Sequence, residues 1–493
     1  MKEQSKFSKV LSILLSVVLV ISSFYLLYQV IRLNVLPSKF LFPLTIGVVV
    51  LDAIFILLLV YFSKNVVSKI ICIVLTLFIC VASCMGGYYI SKTQGALSNI
   101  TNVAKHAKNT VSVIVKESSS IKDKSQLNGV SVGSLRLNEQ GSKKALKELS
   151  NEGIVLNQTE YDSMTALLEA FYNGEVDSII INESSRSQIL DMEAYSNFDS
   201  NTRVVYQTSY KVKNNDSATS VSDITSKPFN VLISGSDTRG GFDENGRSDV
   251  IMIATVNPNT HTILLTSVPR DFYVTTACDA GDGCMQGALD KITHTGIHGT
   301  NTTKRTVEQL LGIEINYTFK VGFDTVTELV DVLGGVDVYV EPGYATTTSE
   351  FSVHEGVNHL NAQQALAFAR ERYSYTEGDR QRTKNQQQVL MGIVKEATKP
   401  SVITNYAAIM DTMANTFSTT MSNAEITDLI KYQLNNNPTW KMEQYMVDGT
   451  GDTLMCAELG DAASVMVPDQ STVKMAKDKI NAVLAGKSSE DVK

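Results

Sequence analysis

The chain has 493 residues, of which 43% are hydrophobic and 19% charged, and its formal net charge is −8. That length leaves room for two or three domains with real cores. The acidic balance excludes the basic footprint expected of a DNA-binding protein.

Three long apolar runs come first, at residues 10–31, 40–62 and 70–90, and Asp52 is the one charged residue inside them. Each is close to the roughly 20 residues that a bilayer-spanning helix requires. The first is too long for a signal peptide, lacks a small-residue cleavage site and is followed at once by two similar runs, so it reads as an anchor. Lys2, Lys6 and Lys9 precede the first run, and Lys64 and Lys69 join the second to the third, against Arg32 and Lys39 in the intervening loop. This bias predicts a cytoplasmic N-terminus, and three crossings then send residues 91–493 outside. Asp52 reads as a side chain packed toward neighbouring helices, without a functional role. Cys72, Cys80 and Cys84 lie in the third run, leaving Cys278, Cys284 and Cys456 outside. "TACDAGDGCMQG" is a candidate disulfide loop between Cys278 and Cys284 for an oxidising exterior, with Cys456 left over. No CxxC and no neighbouring histidine pair completes a metal site with these three.

Residues 91–110 read as a polar linker or helix leaving the membrane. Short β-rich runs then alternate with helical ones: "VSVIVK" (111–116), "GVSVGSL" (129–135), a helix near 141–152, "GIVLNQT" (153–159), a helix at 161–173 and "VDSIIIN" (176–182). That alternation predicts an α/β unit with a parallel sheet, similar in pattern to one lobe of extracellular solute-binding proteins. The polar stretch 212–227 marks a domain boundary. Beyond it, "FNVLISGS", "SDVIMIATVN" and "HTILLTSVPRD" read as strands, and "KRTVEQLLG" and "FDTVTELVDVLGG" as amphipathic helices ending in glycine. "VDVYVE" is expected to continue the sheet. A helix near 361–373 precedes an arginine-rich stretch, and another begins by about 382.

Chemistry concentrates in this second exterior region. Asp237 follows one predicted strand and Asp249 enters the next, joined by a glycine-rich loop with Arg239 and Arg247. Strand ends of an α/β sheet are where ligands bind. Two carboxylates there suit a Mg²⁺ ion held mostly by water and phosphate oxygens, and they suit turn or cap roles equally well. Arg270 ends the strand-like "TILLTSVPRD", while Arg370, Arg372, Arg380 and Arg382 fall within thirteen positions. A guanidinium forks onto two phosphate oxygens where lysine offers a point charge. Solvated pairing with Glu371, Glu377 and Asp379 is the alternative, but it predicts a mixture of lysine and arginine, and the first lysine is Lys384.

"NVLISGSDTR", "RSDVIMIATV", "SVPRDFYV", "DKITH", "VGFDTVTELVDVLGGVDVYV", "GVNHLNAQQALAFARER" and "GDRQRTKNQQQVL" occur in the order and spacing of the LytR-CpsA-Psr (LCP) family, which residues 228 to about 400 resemble. The three spans and the domain before the catalytic one resemble its capsule branch. The resemblance implies an α/β protein divided into a three-helix membrane anchor (1–90), an extracellular α/β accessory domain and linker (91–227), a phosphotransferase core (228–400) with a central mixed sheet flanked by helices and a lipid-binding cavity, and a C-terminal part of that domain with a tail (401–493).

It also implies an enzyme at the outer face of a Gram-positive membrane that moves capsular polysaccharide or a related glycopolymer from its undecaprenyl-pyrophosphate carrier onto peptidoglycan, with Mg²⁺, or Mn²⁺ in its place. Carried over by position, Asp237 and Asp249 match the metal-associated acids, and Arg247, Arg270, Arg370, Arg372 and Arg382 the pyrophosphate-binding arginines. Gln386 matches a polar head-group contact and Asp379 an acid orienting an arginine. Arg247, Arg270 and Asp379 are the catalytic candidates, while Arg239 and Arg380 are read as solvent-exposed. His294 reads as structural, and Asp271 as a general base or a turn cap.

Phosphoryl transfer needs positioning and charge compensation more than a protein nucleophile. A polyprenyl tail needs an apolar lining, at about 0.8 kcal/mol per buried CH₂. Helices at 303–312 and 323–334, with Val307, Leu310, Leu311, Phe323, Val326, Leu329, Val330 and Leu333, have suitable faces, although ordinary core is the reading for most of them. Expected partners are the lipid-linked polymer, peptidoglycan, membrane lipid and capsule biosynthesis proteins. The rival readings are a hydrolase releasing lipid monophosphate, a binder of lipid-linked polymer, and a membrane-bound regulator; for the last, the short cytoplasmic segments leave no room for a helix-turn-helix.

Overall fold

The computed structural model describes residues 6–62, 65–103, 106–136, 139–213, 216–236, 244–279, 283–399, 408–414 and 417–492. They divide into two compact units: Met1–Asn99 with Thr398–Ala414 and Ser422–Pro438, and Ile100–Ala397 with Asn415–Met421 and Thr439–Lys493.

The first unit contains α1 (Lys6–Leu33), α2 (Ser38–Leu57, continued by a wider turn over Leu58–Phe62) and α3 (Val66–Val103). Three stretches, Ser8–Leu33, Ser38–Phe62 and Val66–Thr101, are long and apolar enough to cross a membrane. Of the two readings of residues 91–110, a polar linker or a helix, the helix holds as far as Val103, where the third helix ends. Ser23 Oγ donates to Asp52 Oδ1 at 2.9 Å, so the carboxylate of the second apolar stretch faces a neighbouring helix. The helix Asn423–Asn436 belongs to this unit, where Lys431 Nζ donates to Asn34 Oδ1 (2.8 Å) and Lys39 Nζ to the Asn435 carbonyl (2.7 Å).

The second unit begins with the accessory layer. Its elements are β1 (His106–Lys116), β2 (Ser131–Leu135), α4 (Glu139–Asn151), β3 (Asn157–Tyr161), α5 (Met164–Asn173), β4 (Ser178–Asn182), α6 (Arg186–Asp191), the single turn α7 (Phe198–Asn201) and β5 (Thr202–Lys213). The strand order is β3-β2-β4-β1-β5. β2 pairs in parallel with β3 and β4, as the alternation predicts, but β1 and β5 run antiparallel, so the sheet is mixed. The long β1 and β5 are adjacent and eleven and twelve residues in extent, and their ladder was not legible from the shorter β-rich run at 111–116.

Then follow β6 (Phe229–Ser236), β7 (Val250–Asn257), β8 (Thr262–Val268), β9 (Tyr273–Thr275), β10 (Leu289–Lys291), α8 (Thr300–Leu311), β11 (Tyr317–Gly322), α9 (Phe323–Leu333), β12 (Val336–Val340), the short pair β13 (Thr346–Thr347) and β14 (Ser352–Val353), β15 (Gly356–Leu360), α10 (Ala362–Arg370), α11 (Asp379–Ala397), β16 (Phe417–Thr419), β17 (Lys441–Met446), β18 (Gly449–Cys456), β19 (Asp461–Pro468) and a last helix, Gln470–Leu484. The central sheet has the mixed order β16-β11-β6-β7-β8-β17. One expectation fails: "VDVYVE" does not join it, since β12 pairs with β15 in a separate two-stranded sheet. Its valines instead build the core of the α9–α11 layer.

The near-continuous apolar runs of β6–β8 fit strands covered on both faces. On one side Leu232, Ile251, Ile253 and Leu264 pack with Val307 and Leu311 of α8 and with Ile480 and Val483 of the last helix. Burying each such side chain contributes about 1.5–3 kcal/mol. A second core joins Val330 of α9 to Phe368 of α10 and Val389 of α11, with Val326, Leu329 and Leu333 against it. The candidate lipid-lining residues therefore serve as core, with the Phe323 side chain outside the described residues. A disulfide links Cys278 to Cys284.

Candidate active site

The site forms where three strand ends meet the start of α11. Asp249 immediately precedes β7, and its amide donates to the Gly235 carbonyl (2.8 Å), extending the β6 ladder. Next to it Ser248 is buried, its amide bonded to the Thr293 carbonyl at 2.9 Å and its hydroxyl 2.9 Å from Ser234 Oγ. The turn 292–298 closes so tightly over this segment that a Cβ on Gly296 would lie 2.4 Å from Ser248 Oγ and 2.5 Å from the Gly246 carbonyl. Only a glycine allows that approach, and the approach holds Arg247 and Asp249 on either side of a buried, hydrogen-bonded serine.

Arg270 follows β8 and Pro269. Its Nη1 donates to Asp249 Oδ1 at 2.9 Å, and its Nε lies 3.7 Å from Asp271 Oδ2. Arg247 Nη2 is 3.7 Å from the same Asp249 oxygen, and Thr293 Oγ1 donates to it at 3.4 Å.

The capping box between Asn361 and Gln364 starts α10, which ends at Arg370 with its charge at the favourable C-terminal end. Gly378, at φ 54° in the left-handed region, turns the chain into α11. Asp379 opens that helix, Arg382 Nη2 sits 2.6 Å from its Oδ1, and Gln386 follows one turn on along the same face. The polar run beyond is structural: Gln387 Nε2 donates to the Leu265 (3.3 Å) and Tyr445 (2.9 Å) carbonyls of β8 and β17, and Asn385 Nδ2 to the Phe368 carbonyl (3.0 Å). Amide bonds of this kind contribute about 1 kcal/mol each, and they fix α11 over the strand ends.

A polar cleft of about 230 Å³ results, lined by Asp249, Arg270, Asp379, Arg382, Thr383 and Gln386 among others. Five predicted site residues thus meet in one cavity. Arg247 joins it through Asp249. Arg372 is near enough to depress the Arg382 guanidinium, although burial is the larger cause, followed by Arg270. The Arg372 guanidinium stacks 4.7 Å from the Tyr373 ring and donates to its hydroxyl at 2.6 Å. Arg370 is exposed at the end of α10 and is not among the cleft-lining residues. Asp237 and Arg239 lie outside the described residues, and Arg380 is exposed, pairing with Asp448 at 2.5 Å.

Burial disfavours the Arg270 charge, yet Asp249, Asp271 and Asp379 together raise its pKa above the ordinary arginine value. The Nε atoms of Arg247, Arg270 and Arg382 are buried without a hydrogen-bond acceptor among the described residues. Buried donors left unsatisfied are costly, and two such arginines lining the cleft with a third at Asp249 fit a dianionic ligand with several oxygens. Among the described residues no group of three His, Cys, Asp or Glu is arranged to hold a metal by itself.

Asp271 accepts from Lys291 Nζ at 3.3 Å. His294 is buried with Nδ1 2.7 Å from Asp290 Oδ1, a structural pair as expected. Thr293 and Thr383 reach the site without having been singled out; Thr293 lay within the "DKITH" block, but its hydroxyl carries no charge pattern to mark it. Asp191 of α6, paired with Arg247 Nη1, had no local signal at all.

Several known proteins are similar to this chain. The polyisoprenyl-teichoic acid–peptidoglycan teichoic acid transferase TagU of Bacillus cereus is 30% identical over 241 residues, 48% of this chain and 76% of that protein. The Bacillus subtilis protein of the same description is 34% identical over 196 residues, 40% of this chain and 60% of its own length. The crystal structure of Bacillus subtilis TagU aligns with a TM-score of 0.41 at 28% identity, covering 52% of this chain and 97% of that one. The LytR_cpsA_psr family model matches residues 194–482, and with more than half of its length so matched, the chain belongs to the LytR-CpsA-Psr family.

Proposed function

We propose that the protein is a membrane-anchored phosphotransferase that moves a glycopolymer, capsular polysaccharide or a close relative, from a polyprenyl-pyrophosphate carrier to peptidoglycan. The observation that carries this reading is the set of three half-buried arginines whose Nε donors lack an acceptor among the described residues, Arg270 and Arg382 lining the Asp249 cleft and Arg247 beside it at Asp249. The description of the Bacillus relatives as polyisoprenyl-teichoic acid–peptidoglycan transferases supports the same class of donor and acceptor.

In this reading a wall hydroxyl attacks the phosphorus that bears the polymer. A new phosphodiester forms, the P–O bond to the lipid-side phosphate breaks with its electron pair going to the departing polyprenyl phosphate, and the hydroxyl proton passes to water or to that phosphate. Arg247, Arg270 and Arg382 bind the pyrophosphate oxygens, Arg372 and Arg370 extend the positive field toward the cleft mouth, Asp379 orients Arg382, and Gln386 donates to the head group. No protein nucleophile is needed, because positioned cations supply most of the stabilisation.

A Mg²⁺ ion, or Mn²⁺, fits beside this set. Among the described residues the contacts of Asp249 fall on Oδ1, leaving Oδ2 for a cation. A magnesium ion characteristically takes one or two carboxylates and completes its shell with water and phosphate oxygens, and Asp237 is the second candidate. When bound, it would neutralise charge on the bridging phosphate oxygens.

The core of α9–α11 draws on no residue of the central sheet, whose Val231, Met252, Ala254, Ile263 and Leu265 are buried outside it. The polyprenyl chain is proposed to run between these two apolar surfaces. The reading places the N-terminus in the cytoplasm and the site at the outer face of a Gram-positive membrane, with capsule biosynthesis proteins as candidate partners.

The test is product analysis with the full chain in detergent, a polyprenyl-pyrophosphate-linked glycan, Mg²⁺ and peptidoglycan. Covalent glycan–peptidoglycan with stoichiometric polyprenyl phosphate is the expected result. Lipid phosphate alone would mean a hydrolase, and neither product a binder; both outcomes reject the proposal.

A further inference from the structure

Arg247 differs from Arg270 and Arg382 in where its partner comes from. Its side chain is 12% exposed, and its Nη1 is paired with Asp191, the last residue of α6 in the accessory layer. From the same strand entrance its Nη2 faces Asp249 at 3.7 Å, and its Nε has no acceptor among the described residues. Nε and Nη2 form the side-on fork of a guanidinium, the edge that grips two oxygens of one phosphate. Asp191 therefore occupies the one amine outside that fork and leaves the fork turned toward Asp249.

The position of Asp191 is built rather than accidental. Arg186, at the start of α6, is buried and saturated: its Nε and Nη2 bond Glu183 at 2.6 and 2.8 Å and its Nη1 bonds Asp199 at 2.9 Å. Met192, next to Asp191, packs against the cluster of Cys456, Leu459 and Val465 together with Tyr273 and Leu454. Thr165 donates from its amide to the Leu459 carbonyl at 3.3 Å, and Thr110 Oγ1 donates to Glu244 Oε1 at 2.5 Å, three residues before Arg247. A carboxylate at the C-terminal end of a helix faces the wrong end of the backbone dipole, so helix stability does not account for an aspartate there. Its pairing with Arg247 does.

We infer that Asp191 is a positioning residue of the transfer site: the accessory domain reaches across to hold the Arg247 guanidinium from behind, so that its Nε–Nη2 fork is pre-aimed at the pyrophosphate. This inference rests on the functional reading above. It assigns the accessory domain a part in donor binding, by lowering the cost of ordering a long side chain when the substrate arrives.

The experiment titrates farnesyl pyrophosphate, a short lipid pyrophosphate, into the full chain in detergent with Mg²⁺, by calorimetry. Asp191→Ala is expected to weaken binding about tenfold, the scale of one charge-assisted hydrogen bond, and Asp191→Glu to recover most of that loss. In an Arg247→Ala background, itself weakened, Asp191→Ala should change the affinity less than about twofold, as coupled partners do. Thermal midpoints report folding, and Asp191→Asn, which keeps the shape, decides if the alanine variant unfolds. Binding by Asp191→Ala equal to or tighter than the parent would overturn the inference, since a tighter complex would mean that the carboxylate competes with phosphate. So would full additivity with Arg247→Ala. If Arg247→Ala itself binds like the parent, the functional reading fails instead.

Discussion

Replacing Arg270 by alanine removes the guanidinium that three carboxylates surround. It donates to Asp249 at 2.9 Å and lies 3.7 Å from Asp271, and while burial works against its charged form, these two carboxylates and Asp379 favour it. At an effective dielectric of about 20, a unit charge about 4 Å from a phosphate oxygen contributes roughly 4 kcal/mol. A loss of that size in the transition state corresponds to about 10³-fold in rate, in the range found when one preorganised donor is deleted. Transfer by Arg270→Ala, followed as polyprenyl phosphate release at subsaturating donor, is therefore expected to fall by about 10²- to 10³-fold. Arg270→Lys restores the charge without the fork and should recover about one order of magnitude. The fold should persist, because the first core, built on Leu232, Leu264 and Val307, does not include Arg270. A thermal midpoint near that of the parent separates catalysis from unfolding. An alanine variant with rates within twofold of the parent would refute the role given to the cleft.

Other expectations follow from single groups. Asp249→Asn should weaken Mn²⁺ binding, read by electron paramagnetic resonance, by about tenfold or more, because an amide is a poorer ligand for a hard cation; an unchanged titration removes Asp249 from the metal site. Burial raises the Asp216 carboxyl from 3.8 to about 6, opposed in part by the Thr318 hydroxyl that donates to it at 2.6 Å. The native state then holds a proton that the unfolded chain releases, so stability declines as pH rises from about 4 to about 6, by about 3 kcal/mol at most. Asp216→Asn should raise the thermal midpoint at pH 7.5 and leave it nearly unchanged at pH 4; equal shifts at both would reject the argument. Burial pushes the Cys456 thiol up to about 12, with Asp290 adding to it. A water-soluble maleimide should leave Cys456 unmodified until the protein is unfolded, and rapid labelling of Cys456 itself in the native chain, located by peptide mapping, would contradict its burial.

Some features were legible because they depend on local pattern. Apolar runs of bilayer length gave the three long helices, and the alternation beyond residue 228 gave β6, β7, β8, α8 and α9 within a few residues. Where pairing partners are distant in sequence, the pattern fell short. β12 has the composition of a central strand, yet its partner β15 holds it in a separate two-stranded sheet, since apolar alternation reveals that a strand has a buried face and not which strand lies beside it. The arginines of the 370–382 stretch, alike in sequence, separate in the fold. Arg382 enters the cleft, Arg372 stays within electrostatic reach of it, and Arg380 turns out to Asp448. The phase of α11, set by the Gly378 turn and by the bonds of Gln387 to β8 and β17, separates Arg382 from Arg380.

By itself the sequence determined the kinds of chemistry available: membrane-length helices, carboxylates at strand entrances, and guanidinium groups where lysines would have sufficed for solubility. Those are properties of residue type and short-range spacing, which a linear string records in full. Only the tertiary structure decided that Asp249, Arg270 and Arg382, up to 133 positions apart, share one cleft, and that Asp191 from another layer completes it. Such contacts are made by packing β7, β8 and α11 against one another, and packing is a property of the folded chain as a whole.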